Sequence, residues 1–411
     1  MAQSNTPTIP LNHSNLIIKP PTTANLIRNF DPQLIQHDAK STRIILHPLF
    51  PHLVQAFLTH KRTHGSPHEK TLYAPPFTWR SLVSRLLTAR PLTFMGAHDY
   101  TLLRNGTVLA DGTEEWDRNG SAAQSANKYL SLAEYLSYDE IMLSSLVGVS
   151  GYSYFINDGS RYNRGIPGVP GSFEARGVIV GVVGARFERE GRMDAVYMLP
   201  ASPSTKQHPE LQDIFRTFFF AAAGTAHGDG DTTSTAFDIA VDNHGHGFDA
   251  HVYKARMRIT IDILLLEANL RAKDAGRKAH VYAVGLGLGV WAYSSIQPAL
   301  YISTFLAALL HLPLRHISVV EFAYITVDAS LRTRVTEAAA QKGIKVLFSR
   351  RQPAEKLDSG DLLVLSYAWD GNAMPGNEYW VGSLAGSGDP AAACMSTVGE
   401  LHNPLVNDYT G

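Results

Sequence analysis

An α/β fold built on a largely parallel or mixed sheet is what this chain of 411 residues predicts, and three observations carry the prediction. Five runs are apolar almost throughout, as strands buried on both faces are: RGVIVGVVGARFE (176–188), AHVYAVGLG (279–287), ISVVEFAYITV (317–327), IKVLFS (344–349) and DLLVLS (361–366). Patterns of helical period separate them, at about 208–222, 250–275, 298–311 and 330–342. Alternation of strand, helix and strand requires helices stacked on the sheet, and ligands in such sheets bind at the carboxyl ends of the strands.

Taken in order, MAQSNTPTIPLNHSN is polar and proline-containing, with no basic start and apolar stretch of a signal or transit peptide; residues 1–25 read as a disordered tail. From 26 to 125, short helical pieces such as LVQAFLTH and WRSLVSRLL alternate with His-, Pro- and Gly-rich connectors, the texture of an accessory, partly helical region. The loop-rich stretch NGTVLADGTEEWDRNGSAAQS (105–125) marks a boundary, so that 126–411 forms the main domain. SLAEYLSYDEIMLSSLVGV (131–149) holds two capping boxes, Ser131 with Glu134 and Ser137 with Glu140, and predicts one helix or two short ones. The 330–342 pattern stops at Gly343, a C-cap glycine. ALYISTFLAALLHL (299–312), between Pro298 and Pro313, is shorter than the roughly 20 apolar residues of a membrane span and reads as a buried helix.

Composition narrows the function. With 45% hydrophobic and 18% charged residues, the chain is long enough for a sizeable core. A formal net charge of -1 gives no overall steering toward nucleic acid or an anionic membrane, so neither is an expected partner. Cys394 is the single cysteine, which excludes an intramolecular disulfide and a cysteine-based zinc cluster and fits a reducing, cytoplasmic setting.

Four segments could carry chemistry. GLGLGVW (285–291) follows a strand and precedes a helix with Pro298 near its start, the layout of a phosphate cradle; its spacing matches neither the dinucleotide fingerprint nor a P-loop, and a plain tight turn explains it equally well. DNHGHGFDAHVY (242–253) gathers Asp242, His244, His246, Asp249 and His251, open to three readings: a substrate-lining loop, turn caps, or a zinc or other divalent-metal site, against which its spacing counts. YSYFINDGSRYNRG (152–165) joins aromatics to Asn157, Asp158 and two arginines, suited to a sugar or phosphate contact or to a connector rich in Asx turns. SYAWDGNAMPGNEYW (366–380) places Asp370, Asn372, Asn377 and Glu378 in a loop after an apolar strand, and Asp389 follows. Glycosidic cleavage needs carboxyl groups of divided role, and this loop supplies enough of them.

Together YFINDGSRYNRG, RGVIVGVVGARFE, HGHGFDAHVY, AVGLGLGVW and AWDGNAMPGNEYW resemble the macrodomain-type ADP-ribosylhydrolases related to a Legionella effector that removes ADP-ribose from arginine of modified ubiquitin. That branch is distantly similar to poly(ADP-ribose) glycohydrolases, and the resemblance runs from about residue 130 to the end. Its longest pattern is Ala-Trp-Asp, a short insert, Pro-Gly-Asn, an acidic residue and a further acidic residue, here ending on Asp370, Gly376, Asn377, Glu378 and Asp389. The resemblance implies a three-layer macrodomain-like mixed sheet flanked by helices. It implies ADP-ribose held by Gly287, Leu288, Gly289, Val290 and Trp291 with Asn157, His246 and Asn377, and catalysis by Asp370, Glu378 and Asp389. The partner it implies is an ADP-ribosylated protein, arginine-modified ubiquitin being one, and it implies neither cofactor nor metal. Two other readings stay open: a module that binds ADP-ribose without cleaving it, and an enzyme of a nicotinamide or adenosyl cofactor. Against the last, no acidic residue follows the glycine loop until Glu321, beyond the usual distance of roughly 20 residues.

Overall fold

The computed structural model describes residues 11–224, 239–241, 247–386 and 388–410, of which 239–241 as backbone alone. Twelve strands follow one another along these residues. They are β1 (Arg43–Ile45), β2 (Thr93–Met95), β3 (Tyr100–Leu102), β4 (Val108–Leu109), β5 (Gly148–Tyr154), β6 (Arg176–Val182), β7 (Ile239–Val241), β8 (Gly247–Asp249), β9 (Ala279–Ala283), β10 (Ile317–Ala323), β11 (Lys345–Ser349) and β12 (Leu362–Ala368). Seven make a mixed sheet in the order β1-β5-β6-β12-β9-β10-β11, while β2, β3 and β4 form a small sheet of their own and β7 pairs with β8.

The five apolar runs are the parallel part of the large sheet: β6, β12, β9, β10 and β11 all run the same way, with β12 at the centre between β6 (Val364 opposite Val178) and β9 (Val364 opposite Val281). Burial on both sides explains why these sequences do not alternate. The run at 176–188 is shorter as a strand than its apolar length suggests, because residues from Val183 onward leave the sheet as a loop.

Helices cover both faces. In β5, Gly148 lies against Ile263 of the Ala250–Asp274 helix, where a Cβ would come within 2.9 Å of that side chain; Gly151, three residues on, faces His402 at the same 2.9 Å. An odd separation along a strand puts the two on opposite faces. The four expected helices are present as Pro209–Ala223, Ala250–Asp274, Gln297–His311 and Ala329–Ala340, and Gly343 adopts a left-handed turn (φ 71°) just beyond the last.

The stretch 131–149 departs from expectation. Only Tyr138–Ser144 is helical, started by the Ser137 and Glu140 box, whereas Ser131 and Glu134 close a single turn and Gly148 opens β5. Glycines that let β5 lie between helices on both faces look like helix-breaking loop residues when only the sequence is read. The N-terminal third contributes β1 to the edge of the sheet through antiparallel pairing with β5, and Phe50, Val54 and Phe57 of the Phe50–His64 helix share one apolar core with Val178 and Val364. Residues 11–25 are fastened to the C-terminal segment, where Asn25 Nδ2 donates to the carbonyls of Ala393 (2.6 Å) and Ser396 (3.0 Å). Among the described residues no helix is long and apolar enough to cross a membrane.

Candidate active site

At the carboxyl end of the central strand, β12 passes into Trp369 and Asp370. Trp369 N donates to Val182 O at the end of β6 (3.1 Å), and the buried Arg90 guanidinium lies 4.1 Å from the Trp369 ring centroid. Arg90 also donates to Ser144 Oγ (2.5 Å), and Ser144 Oγ donates to Gly371 O (2.5 Å), so the turn after Asp370 is fixed by residues that precede β5 in the chain. Burial pulls Arg90 down to about 9.

Asn377 organises the acidic loop. Its Oδ1 accepts from Phe94 N (2.7 Å), and its Nδ2 donates to Phe94 O (2.9 Å) and to the Asp370 carboxylate. Thr93 Oγ1 donates to the Asn377 carbonyl (2.6 Å), so β2 is the frame on which the loop is stretched. Asp389, buried at the start of the Gly388–Met395 helix, accepts from Gly376 N (3.1 Å) and Asn377 N (2.6 Å). Gly376 has φ 79°, a left-handed conformation suited to glycine, which aims both N–H groups at that carboxylate.

Asp370, Glu378 and Asp389 thus converge and feel one another's charge. Burial raises Asp370 to about 7; the Arg186 guanidinium opposes the rise and Glu378 reinforces it. Burial, then the charge of Asp370, also pushes Asp389 well above the usual carboxylate range. Burial and mutual charge thus favour the protonated forms of Asp370 and Asp389 over those of exposed carboxyls. That is the condition for dividing acid and base roles among like residues.

The glycine loop stands beside the cluster. Gly287 (φ 73°) has no room for a side chain, since a Cβ would lie 2.6 Å from Ala185 O, and a Cβ on Gly184 would lie 2.3 Å from Gly287 N. The loops after β6 and β9 therefore touch backbone to backbone across the end of β12. Gly289 and Val290 are exposed, and among the described residues nothing lies within 4 Å of a Cβ placed on Gly289. Arg186 joins the two halves of the site: its Nη1 donates to Asp370 O (2.6 Å), its Nε donates to Glu188 Oε1 (2.8 Å), and its guanidinium sits 4.4 Å from the Trp291 ring centroid.

Not every expected residue comes here. Asn157 lies beyond β5, which runs antiparallel to β6 so that Tyr154 opposes Arg176; it stands at the opposite end of β6, where its amide is used on Asn163, Ile166 and Gly159. His246, with Asp242 and His244, lies outside the described residues. Asp249 of the same motif caps the Ala250–Asp274 helix by accepting from Val252 N (3.0 Å). Sequence reasoning passed over Arg186, Arg90 and the Thr93–Phe94 edge. Arg186 had a signal, a lone cation in GAR directly after an apolar run; Arg90 and β2 had none, because only the tertiary fold brings them to the loop. Nearby, a cleft of about 270 Å³ opens between Trp116, Tyr138, Arg192 and Lys206, with Arg192 already paired to Asp117.

A glycine loop beside a buried acid cluster, at the carboxyl ends of the central strands of a mixed sheet, is the layout of an α/β enzyme site. Comparison with known proteins is more specific: the family described as ADP-ribosylhydrolase MavL-like matches residues 22–410, and the chain belongs to that family. Relatives include the Drosophila melanogaster proteins named ADP-ribosylarginine hydrolase CG3568 and ADP-ribosylarginine hydrolase CG2909. The first is 36% identical over 399 residues (91% of this chain, 77% of the relative), the second 34% identical over 400 residues (91% and 78%).

Proposed function

We propose that the chain hydrolyses the N-glycosidic bond between ADP-ribose and an arginine side chain of a modified protein, ubiquitin being the substrate the resemblance suggests, within a three-layer macrodomain-like domain. The names of the two Drosophila relatives support the arginine linkage. The observation that carries the reading is Asp370, held by Asn377, raised to about 7 and tied through Arg186 to Trp291 of the glycine loop.

In this reading Gly287, Leu288, Gly289, Val290 and Trp291 receive the diphosphate, and His246 is retained as a contact. Asn157 is set aside because of its place at the far end of β6. Asn377 acts by positioning Asp370 and the distal ribose. Glu378 takes a proton from water as the water oxygen bonds to the anomeric carbon. The carbon–nitrogen bond breaks, its electron pair passes to the guanidine, and a proton from Asp370 restores the leaving side chain to guanidinium. Asp389 keeps the Gly376–Asn377 turn in register and presses on the proton affinity of Asp370. Calorimetric titration with ADP-ribose, NAD and adenosylmethionine tests the ligand class: ADP-ribose binds with at least micromolar affinity, and preference for either of the other two overturns the reading.

A further inference from the structure

We propose that His60, His64, His208 and Glu210 form a binding site for one divalent transition-metal ion of the zinc class, apart from the acidic loop. His60 and His64 are four apart on the Phe50–His64 helix and so share a face, while His208 and Glu210 flank the first residue of the Pro209–Ala223 helix. The three imidazole rings close on one another with centroids 4.9, 5.0 and 5.1 Å apart. Glu210 Oε2 stands 3.5 Å from His60 Nδ1 and 3.2 Å from His64 Nε2. Two ligands on a tetrahedral zinc ion, each about 2.0–2.1 Å from it, are about 3.3 Å apart, so both pairs already stand at ligand spacing. Donor atoms of His60, His208 and Glu210 all lie within 4.8 Å of one another, and small rotations of exposed side chains bring the third into range.

A second observation is independent of this spacing. His60 is 3% exposed at its side chain, and its buried Nδ1, aimed at Glu210, has no hydrogen bond among the described residues. A buried ring nitrogen left unpaired is costly, and a metal ion satisfies it. His208, His64 and Glu210 are solvent-facing, which gives an ion its way in and leaves room for water as a further ligand. Binding has one local cost. His208 Nδ1 accepts a long cap bond from Glu210 N (3.3 Å), and a metal on Nε2 moves the ring proton to Nδ1 and gives that bond up. The ion would clip a helix of the N-terminal third to one that follows β6, a structural role.

The test uses the full chain stripped by chelator, dialysed against zinc and assayed for bound metal, with cobalt(II) absorption as the coordination readout. Two variants are compared: His208→Asn with Glu210→Gln, which keeps a helix cap and side-chain volume, and His244→Ala with His246→Ala, which removes the other histidine pair. The proposal expects one zinc per chain in the parent, a rise in melting temperature on zinc addition, and at least about tenfold weaker binding in the His208 and Glu210 variant alone. It is overturned if the parent retains no zinc, if that variant binds as the parent does, or if only the His244 and His246 variant loses the ion.

Discussion

Replacing Asp370 by asparagine should make the protein more stable at neutral pH while removing its activity. The folded value of about 7 lies above the ordinary 3.8, so between those values the folded chain holds a proton that the unfolded chain has released. Stability therefore falls as pH rises from about 4 to about 7 and levels off above. At about 1.36 kcal/mol for each tenfold change, the full difference has a ceiling of about 4 kcal/mol; partial exposure of the side chain brings the expected effect to about 2 kcal/mol. The amide keeps an oxygen for Asn377 and never ionises. Urea unfolding of parent and variant at intervals from pH 4 to pH 8 is the assay. The stability difference should be near zero at the acid end and grow to about 2 kcal/mol in favour of Asp370→Asn at pH 8. A difference that does not change with pH, or a parent more stable at pH 8, would refute the assignment of a buried proton to this carboxyl.

Glu378→Gln should lower turnover by at least roughly 100-fold with ADP-ribose affinity retained, the usual scale for a lost acid–base group, read by comparing single-turnover rates with calorimetry. In the parent, turnover should decline as pH rises through about 7, when the proton on Asp370 is lost; a rate that climbs through this range removes Asp370 as the acid. Gly289→Phe should fold normally yet lose ADP-ribose binding, whereas Gly287→Ala should lower stability by about 2 kcal/mol because of its left-handed backbone and the 2.6 Å approach to Ala185 O; melting and titration of both variants separate the two effects. Asp389→Ala strands the buried N–H groups of Gly376 and Asn377 and should cost about 2–4 kcal/mol, measured by denaturant unfolding.

The parts of this molecule legible in the sequence were those set by local pattern. Runs such as DLLVLS and AHVYAVGLG are apolar on both faces because β12 and β9 lie inside the sheet, and that gave their place and direction of connection. The loop AWDGNAMPGNEYW was readable as a candidate site because turn residues, aromatics and carboxylates coincide immediately after a buried strand. The β5 strand was not, since glycines at 148 and 151, demanded by helices on either side, imitate a loop. Nor was the division of labour within the acidic loop. Asp389 and Asn377 carry the marks of ligand-facing residues in sequence, yet Asp389 spends its hydrogen bonds on the loop's own backbone, and Asn377 on the Asp370 carboxylate and on Phe94 of β2, about 280 positions away. The placing of Asn157 was hidden for a related reason: strand direction decides which end of the sheet a loop occupies, and antiparallel β5 carries it away from Asp370.

The most direct measurement is the release of free ADP-ribose from an arginine-ADP-ribosylated peptide by the purified chain, run beside Glu378→Gln and Asp370→Asn. The account predicts multiple turnovers by the parent, recovery of the unmodified arginine peptide, and at least about 100-fold slower release by either variant. A parent that binds ADP-ribose but releases none from the peptide, or variants that release it at the parental rate, would contradict it.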